Sequence, residues 1–526
     1  MPTQGTALAG SLVGPVGSQA VLQNNGADNL AVTIGSSGGA YELTSFTFAT
    51  KQLDGSPWLL SVLRPPQFQT CSVYAGGTGT MPMAAGSVKV GCEYTFDHLN
   101  RNADSSVLGT FYDSTDPMLG GSGTPVASTA IAYGEGRFAV FVSSVVVPGV
   151  ANGADRQVYW RDRLTGQTQL VSAAAPAGAG AGVQGNADSG NPVISADGLT
   201  VAFQSAATNL IAGDTNNVSD IFVWNAENPA AGAVRVSVGT AGVQANASSA
   251  RPSLSGDGKV LAFTSAASNL TAGVSGNNSI HVYRRDLTTG TNTLVSVNST
   301  GVPEEAFNPV LSDDGNRLAF NTFWPLLASD TNNLWDIYVY DHAAAVKLTR
   351  VSLTSTGGER NQGTESASRS VAPAISGDGR YVAYATTASN VVPGDTNGTQ
   401  DVFVVDTSNG SVVRASVGNG MSGAEGNGDS PIGQGERPSL SADGKWVAFT
   451  TISSNLGTSP NNALMRNWAT GETRVLSNQD SYIGPVSLSR MGAYAAFGAG
   501  SPLDGRFAST GLFARFTGVG LAFSWN

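Results

Sequence analysis

The pattern P-x-[IL]-S-x-D-G-x-x-V-A-F returns again and again along this chain, and a chain built on one short motif folds as a succession of like units. It reads NPVISADGLTVAF from Asn191, RPSLSGDGKVLAF from Arg251, NPVLSDDGNRLAF from Asn308, APAISGDGRYVAY from Ala372 and RPSLSADGKWVAF from Arg437. Two weaker copies flank these: TAIAYGEGRFAVF from Thr129, with Glu135 in the Asp slot, and PVSLSRMGAYAAF from Pro485, with Met491 there. The period is about 60 residues through the middle of the chain, in the range of propeller blades.

Each unit reads as four strands. The segment ending in Ser is the first. Asp-Gly, as in Asp197-Gly198 or Asp378-Gly379, is expected to supply the positive backbone dihedrals of a tight turn, and VAF and its variants form the second strand. A loop with SNL-like residues precedes a third strand, such as DIFVW, HVYRRD, DIYVYD, DVFVVD or GLFARF. The fourth is the Val-rich VRVSVG, TLVSVN, LTRVSL or VVRASV, with GLAFSWN expected in the last unit. No stretch keeps a helical period, so the class is all-β. One such unit cannot bury its apolar face alone, and radial repetition solves that problem. The small residue before each aromatic (Ala202, Ala262, Ala319, Ala383, Ala448, Ala496) suits close packing of neighbouring units. The reading is a seven-bladed β-propeller over residues 127–526, with an open β-solenoid as the alternative.

Residues 1–95 lack the repeat and alternate like a small β-sandwich. Residues 96–126 read as a linker in which VLGTFYD contributes a strand to ring closure. Cys71 and Cys92 flank a Gly-rich turn and the strand-like GSVKVGC; two buried thiols and a disulfide are both open, and the composition favours the bridge. Only 12% of the 526 residues are charged, with 27 Lys plus Arg against 38 Asp plus Glu and a net charge of −11. The basic residues are scattered, which disfavours nucleic acid and anionic membranes as partners. No run approaches the roughly 18 apolar residues of a transmembrane helix. The opening MPTQGTALAG has neither a basic n-region nor a long apolar core, as a mature form without its export segment also would.

The signature P-x-[IL]-S-x-D-G-[KR]-x-[VL]-A-F, followed by [IV]-[FY]-V-x-D, resembles the TolB-type β-propeller repeat of exported bacterial proteins, over about three quarters of the chain. That resemblance implies the propeller fold; the family's propellers serve as binding platforms, assembly factors and enzyme domains alike. The run VLQNNGADNLAV…FTFAT…QTCSV…C resembles an Ig-like module of bacterial cell-surface proteins, which implies pairing of Cys71 with Cys92.

Three loops share the form D-x-N-x-x-x-D: Asp214, Asn216 and Asp220; Asp330, Asn332 and Asp336; Asp395, Asn397 and Asp401. Alternate oxygens in a tight loop suit Ca²⁺, so structural calcium in three blades is one expectation; Asx turns that cap the loop are the other. The three histidines, His98, His281 and His342, lie in separate units and read as solvated or turn residues. Loop acids over the channel, Glu304, Glu305, Glu425, Asp429 and Glu436, are the material for a glycosidase or lyase, and otherwise are solvated. Trp324 and Trp335 interrupt the repeat and are candidates to stack on sugar or enter a protein partner. The expected function is a non-catalytic exported platform, extracellular, at the cell surface or periplasmic, that binds protein or glycan. The alternatives are a carbohydrate-active hydrolase or lyase, and a self-assembling subunit.

Overall fold

The computed structural model describes residues 5–98, 130–143, 155–499 and 511–516, apart from loop segments within those ranges, among them 175–182, 363–371, 432–436, 457–461 and 478–485. The described strands form nine four-stranded sheets. Two belong to the N-terminal part. Strands Tyr41–Gln52, Thr6–Pro15, Lys89–Tyr94 and Gln69–Ala75 make one sheet, and Asp28–Thr33, Gln19–Asn24, Pro57–Arg64 and Thr78–Thr80 the other. Leu8, Leu12, Phe48 and Val90 of the first sheet and Leu22, Trp58 and Leu60 of the second share one buried cluster, so the two are packed face to face. Cys71 and Cys92 are directly opposed on antiparallel strands and form a disulfide, with Cα atoms 4.1 Å apart.

The other seven sheets follow the motif copies in chain order and are antiparallel; the first six are meanders, and from the second to the seventh the first strand is the one that runs into the motif serine. The second sheet shows the plan: Ser189–Ile194, Thr200–Ser205, Asp220–Asn225 and Val234–Arg235. The apolar core lies between sheets. Phe203 and Trp224 of the second sheet pack with Val140 and Trp160 of the first, and Phe263 and Tyr283 of the third pack with Ala202 and Ile221 of the second. The alanines before each aromatic are all fully buried, as close sheet-to-sheet contact requires. The first strand of the first sheet, Ala130–Ile131, lies against the last sheet, so the sheets close a ring; the architecture is a β-propeller.

The last sheet departs from the expected strand order. The free edge of Gly511–Phe516 pairs with Phe96–His98, through Phe513 to His98 and Arg515 to Phe96. The place that the repeat assigned to GLAFSWN is thus taken by residues from the start of the ring. GLAFSWN itself and VLGTFYD lie outside the described residues.

The turn between first and second strands is built differently from a turn with two positive dihedrals: only the glycine is left-handed. Gly198, Gly258, Gly315, Gly379 and Gly444 have φ between 65° and 75°. The Asp works through its side chain. Asp257 Oδ1 accepts from Ser255 Oγ at 2.7 Å and from the Lys259 N–H at 3.0 Å, and Ser255 Oγ accepts the Val260 N–H at 2.9 Å. The same three bonds recur at Ser312 and Asp314, and at Ser441 and Asp443. The glycine also touches the preceding sheet: a Cβ on Gly444 would lie 2.2 Å from Tyr381 Cδ2, and one on Gly198 2.1 Å from Phe138 Cδ2. Next to each turn, consecutive sheets are joined by a backbone hydrogen bond around the channel. The N–H of Ala196 donates to Gly256 O, Gly256 to Asp313 O, Asp313 to Gly377 O, Gly377 to Ala442 O and Ala442 to Arg490 O, at 2.6 to 2.8 Å.

Gly444→Ala combines an unfavourable φ with an overlap in a packed interface, and is expected to cost about 2 kcal/mol or more, read as a lower denaturation midpoint in urea. At the neighbouring turn, between the third and fourth strands, Arg380 holds the Asp406 carboxyl down to about 2 through hydrogen bonds of 2.6 to 3.1 Å, with further help from Ser408. A depressed carboxyl stabilises the fold above its ordinary range and loses that contribution as it protonates. The stability difference between the natural protein and Asp406→Asn should therefore shrink as pH falls from about 4 towards 2, as urea midpoints across that range would show.

Candidate functional site

In each D-x-N-x-x-x-D loop the two carboxylates converge on an arginine from the fourth strand. Arg235 Nη1 lies 3.0 Å from Asp214 Oδ1 and 3.5 Å from Asp220 Oδ2. Arg350 Nη1 lies 2.7 Å from Asp330 and 3.7 Å from Asp336, and Arg414 Nη1 lies 3.0 Å from Asp395 and 3.4 Å from Asp401. The asparagine presents its amide nitrogen to the second Asp, at 2.8 Å from Asn216 to Asp220 and 2.9 Å from both Asn332 to Asp336 and Asn397 to Asp401. Its oxygen takes a backbone N–H two residues on, that of Val218, Leu334 or Thr399, which is an Asx turn.

Two of the arginines gain a third acid from the following loop, Glu359 at 2.9 Å and Glu425 at 2.8 Å. The strand-four Ser completes the set: Ser237 and Ser352 donate to Asp220 and Asp336, each at 2.5 Å. Ser416 does the same for Asp401. Burial pushes the carboxyls of Asp220, Asp330, Asp395 and Asp401 up, against the pull of these donors.

Calcium needs six or more oxygens at close range. Here a guanidinium nitrogen sits between the two carboxylates, and an amide nitrogen faces one of them. The residues present do not fit a calcium ion; they form a buried ionic staple that ties the loop, the third strand and the fourth strand. The repeats themselves hold the signal for the arginine. Two places before the strand-four Ser stand Arg235, Arg350 and Arg414 where the Asp pair is present. Leu170, Leu294 and Val475 stand there in the sheets that carry Gln157, His281 and Asn462 instead of the second Asp.

The candidate acids serve the loops that carry them. Glu304 accepts from Asn298 Nδ2 at 2.8 Å, Glu305 from the Ile280 N–H at 3.4 Å, and Asp429 from the Gln400 N–H at 2.9 Å. Glu436 lies outside the described residues. His281 is buried with Nδ1 2.8 Å from the Glu304 carbonyl oxygen, and burial lowers the pKa of the His342 imidazole. Among the described residues no group of three or more His, Cys, Asp or Glu side chains is placed to hold a metal.

The aromatic candidates do come together, on the edge of the fourth sheet where its first strand begins and its second ends. Phe323 and Trp324 are 41% and 45% exposed with ring centroids 6.0 Å apart. Trp335 is half-buried behind them, 6.1 Å from Phe323, and Phe307 stands 5.6 Å from Trp335. The Trp324 N–H donates to Thr322 Oγ1 at 2.9 Å, and that hydroxyl donates to the Glu305 carbonyl at 2.6 Å, which fixes the loop.

The corresponding loops of four other sheets carry an asparagine lock instead. Asn186 takes the Thr208 N–H at 2.8 Å while its own N–H donates to Asn209 Oδ1 at 2.9 Å. The lock recurs at Asn246 with Asn269, Asn361 with Asn390, and Asn427 with Asn455. Phe-Trp-Pro replaces it in the fourth sheet. Phe307 and Phe323 were not among the sequence candidates, although Phe323 breaks the repeat as plainly as Trp324.

At the other end of the channel a cavity of about 140 Å³ is ringed by Ile194, Leu254, Leu311, Ile375, Leu440 and Leu488. Its rim is small residues except at Asp313 and Arg490, which meet across the channel with Nε and Nη2 2.9 and 2.6 Å from Asp313 Oδ2. Gly377 makes room for this bridge, since a Cβ there would lie 2.1 Å from Asp313 Oδ2.

No family model and no curated protein matches the chain. Solved structures to which it is similar include TolB from Acinetobacter baumannii, at 18% identity over 61% of this chain and 61% of that one, with a TM-score of 0.33. Another is the β-propeller domain of the Trilobed protease from Pyrococcus furiosus, at 12% identity over 75% and 96%, with a TM-score of 0.42. A third is oligogalacturonate lyase from Vibrio parahaemolyticus, at 12% identity over 88% and 98%, with a TM-score of 0.43.

If the loops are arginine staples, the melting temperature will be the same in calcium and in chelator. Arg350→Leu, which strands Asp330 and Asp336 in a dry site, is expected to cost about 3–5 kcal/mol, read by calorimetry of both proteins in the same buffer.

Proposed function

We propose that this protein is a non-catalytic binding platform working outside the cytoplasm. Its parts are an Ig-like sandwich over about residues 1–95 and a seven-bladed TolB-like propeller completed by strand Phe96–His98. Its partner docks on the loop face of the fourth blade. The observation that carries this reading is the exchange made there: a polar lock used by four sheets is given up for two exposed aromatic rings backed by Trp335. Exposing apolar rings costs the free protein and is recovered when a partner covers them.

A surface poor in charge and rich in amides and hydroxyls suits a glycan, whose C–H faces stack on indole while its hydroxyls find Asn and Ser. The disulfide accords with an oxidising compartment. Among the described residues, the loop acids Glu304, Glu305 and Glu425 are occupied in holding side-chain amide, backbone and arginine, which favours binding over general acid–base catalysis.

The test is co-sedimentation with a panel of insoluble polysaccharides, with product assays on the same samples. Binding that falls at least tenfold on Trp324→Ala, without soluble products, is the expected result. Turnover that disappears on Glu304→Gln, or binding indifferent to Trp324→Ala and Phe323→Ala, would overturn the reading.

A further inference from the structure

We infer that the docking site of the fourth blade continues outward from the aromatic pair into a second pocket, which takes the acetamido group of an N-acetylated sugar. The inference rests on the reading of that face as a glycan platform and adds the chemical class of the glycan. The pocket, about 420 Å³, lies at the outer edge of the blade, where the fourth strand, Leu348–Arg350, leads into the turn that carries Glu359. Leu327 lines it and follows Trp324 by three residues, so at most about 11 Å of chain separates the two. A ligand of a few sugar units reaches both.

The walls suit an amide. Leu327, Leu348 and Leu353 give an apolar surface for a methyl group, and Ser329 and Thr349 add exposed hydroxyls. Thr349 stands where the other two staple sheets carry the exposed Val234 and Val413. The strand edge supplies the rest. The Val351 N–H donates to Ile337 O at 2.9 Å, and Val339 stands opposite Thr349. In such an antiparallel ladder Thr349 is the residue bonded inward, and the N–H and C=O of Leu348 and Arg350 point off the edge. An edge of that kind takes a peptide group through donor and acceptor at once. An acetamido group is a peptide group ending in a methyl, so it meets edge and leucines together. A hexose hydroxyl in the same place would set a polar group against three leucines.

Charge at the pocket disfavours the acidic sugars. Arg350 is held by Asp330 at 2.7 Å and by Glu359 at 2.9 Å, and Arg360 by Asp336 at 2.7 Å, so three carboxylates answer two guanidinium groups. An anionic ligand would meet the surplus acid, and a neutral N-acetyl group does not.

Calorimetric titration of the full chain with chito-oligosaccharides of two to six units, against cello-oligosaccharides of equal length that lack only the acetamido group, tests the pocket. The chito series is expected to bind at least tenfold tighter. Thr349→Arg, which puts a long side chain into the groove, should bring the two series within threefold of each other. Val234→Arg, the same change at the same edge of the second sheet, should leave the preference as it is in the natural protein. Equal binding of both series, binding of neither, or a preference untouched by Thr349→Arg would overturn the inference. If Trp324→Ala weakens both series while no preference exists, the inference falls and the platform reading stands. A preference that Thr349→Arg removes and Trp324→Ala does not would keep the pocket and overturn that reading. Should Thr349→Arg lose its fold by circular dichroism, Leu353→Ala, expected to weaken the chito series alone by at least threefold, decides the matter in its place.

Discussion

One backbone hydrogen bond between consecutive sheets from the second to the seventh, made at the channel wall by the residue after the motif serine, sets the height of the first strands. Its reach is larger than its energy. Because the bond locks equivalent residues level, Asp313 can meet Arg490 across the opening. It also brings each turn glycine against the preceding sheet, where a side chain would strike Phe138, Val260 or Tyr381. The S-x-D-G turn is therefore a joint between units as much as a reversal within one.

The staples show how a loop with the look of a metal site is satisfied internally. Each places a fixed, permanently charged cation where a mobile ion would otherwise be needed, and tethers it covalently to the fourth strand. The staple then does not depend on ion supply. It comes at the cost of desolvating several charges, which the Ser donors and the third acids, Glu359 and Glu425, offset.

The propeller was legible because its signals are local and repeated: the Asp-Gly turn, the buried alanine and the alternating strands each appear several times over. The Cys71 and Cys92 pairing was legible from spacing and composition together. What misled were arrangements that join distant positions. The arginine of each staple lies 13 to 21 residues from the two aspartates it pairs with, so the D-x-N-x-x-x-D loop read alone looked like a calcium loop. The final strand was misassigned for the same reason: its partner comes from residue 96, more than 400 positions away. Trp324 was found because it departs from the repeat. Asp313 and Arg490 depart from it in the same way, but at a position counted as variable, and only the ring shows that they face each other.

Strand Phe96–His98 carries one more meaning. It belongs by sequence to the segment that leads out of the sandwich and by hydrogen bonding to the last sheet of the propeller. The ring is thus buckled by its own leading end, and the two parts of the molecule share a fastening as well as a chain. A force or a partner that pulls on the sandwich loads the seam of the propeller directly, through three paired residues.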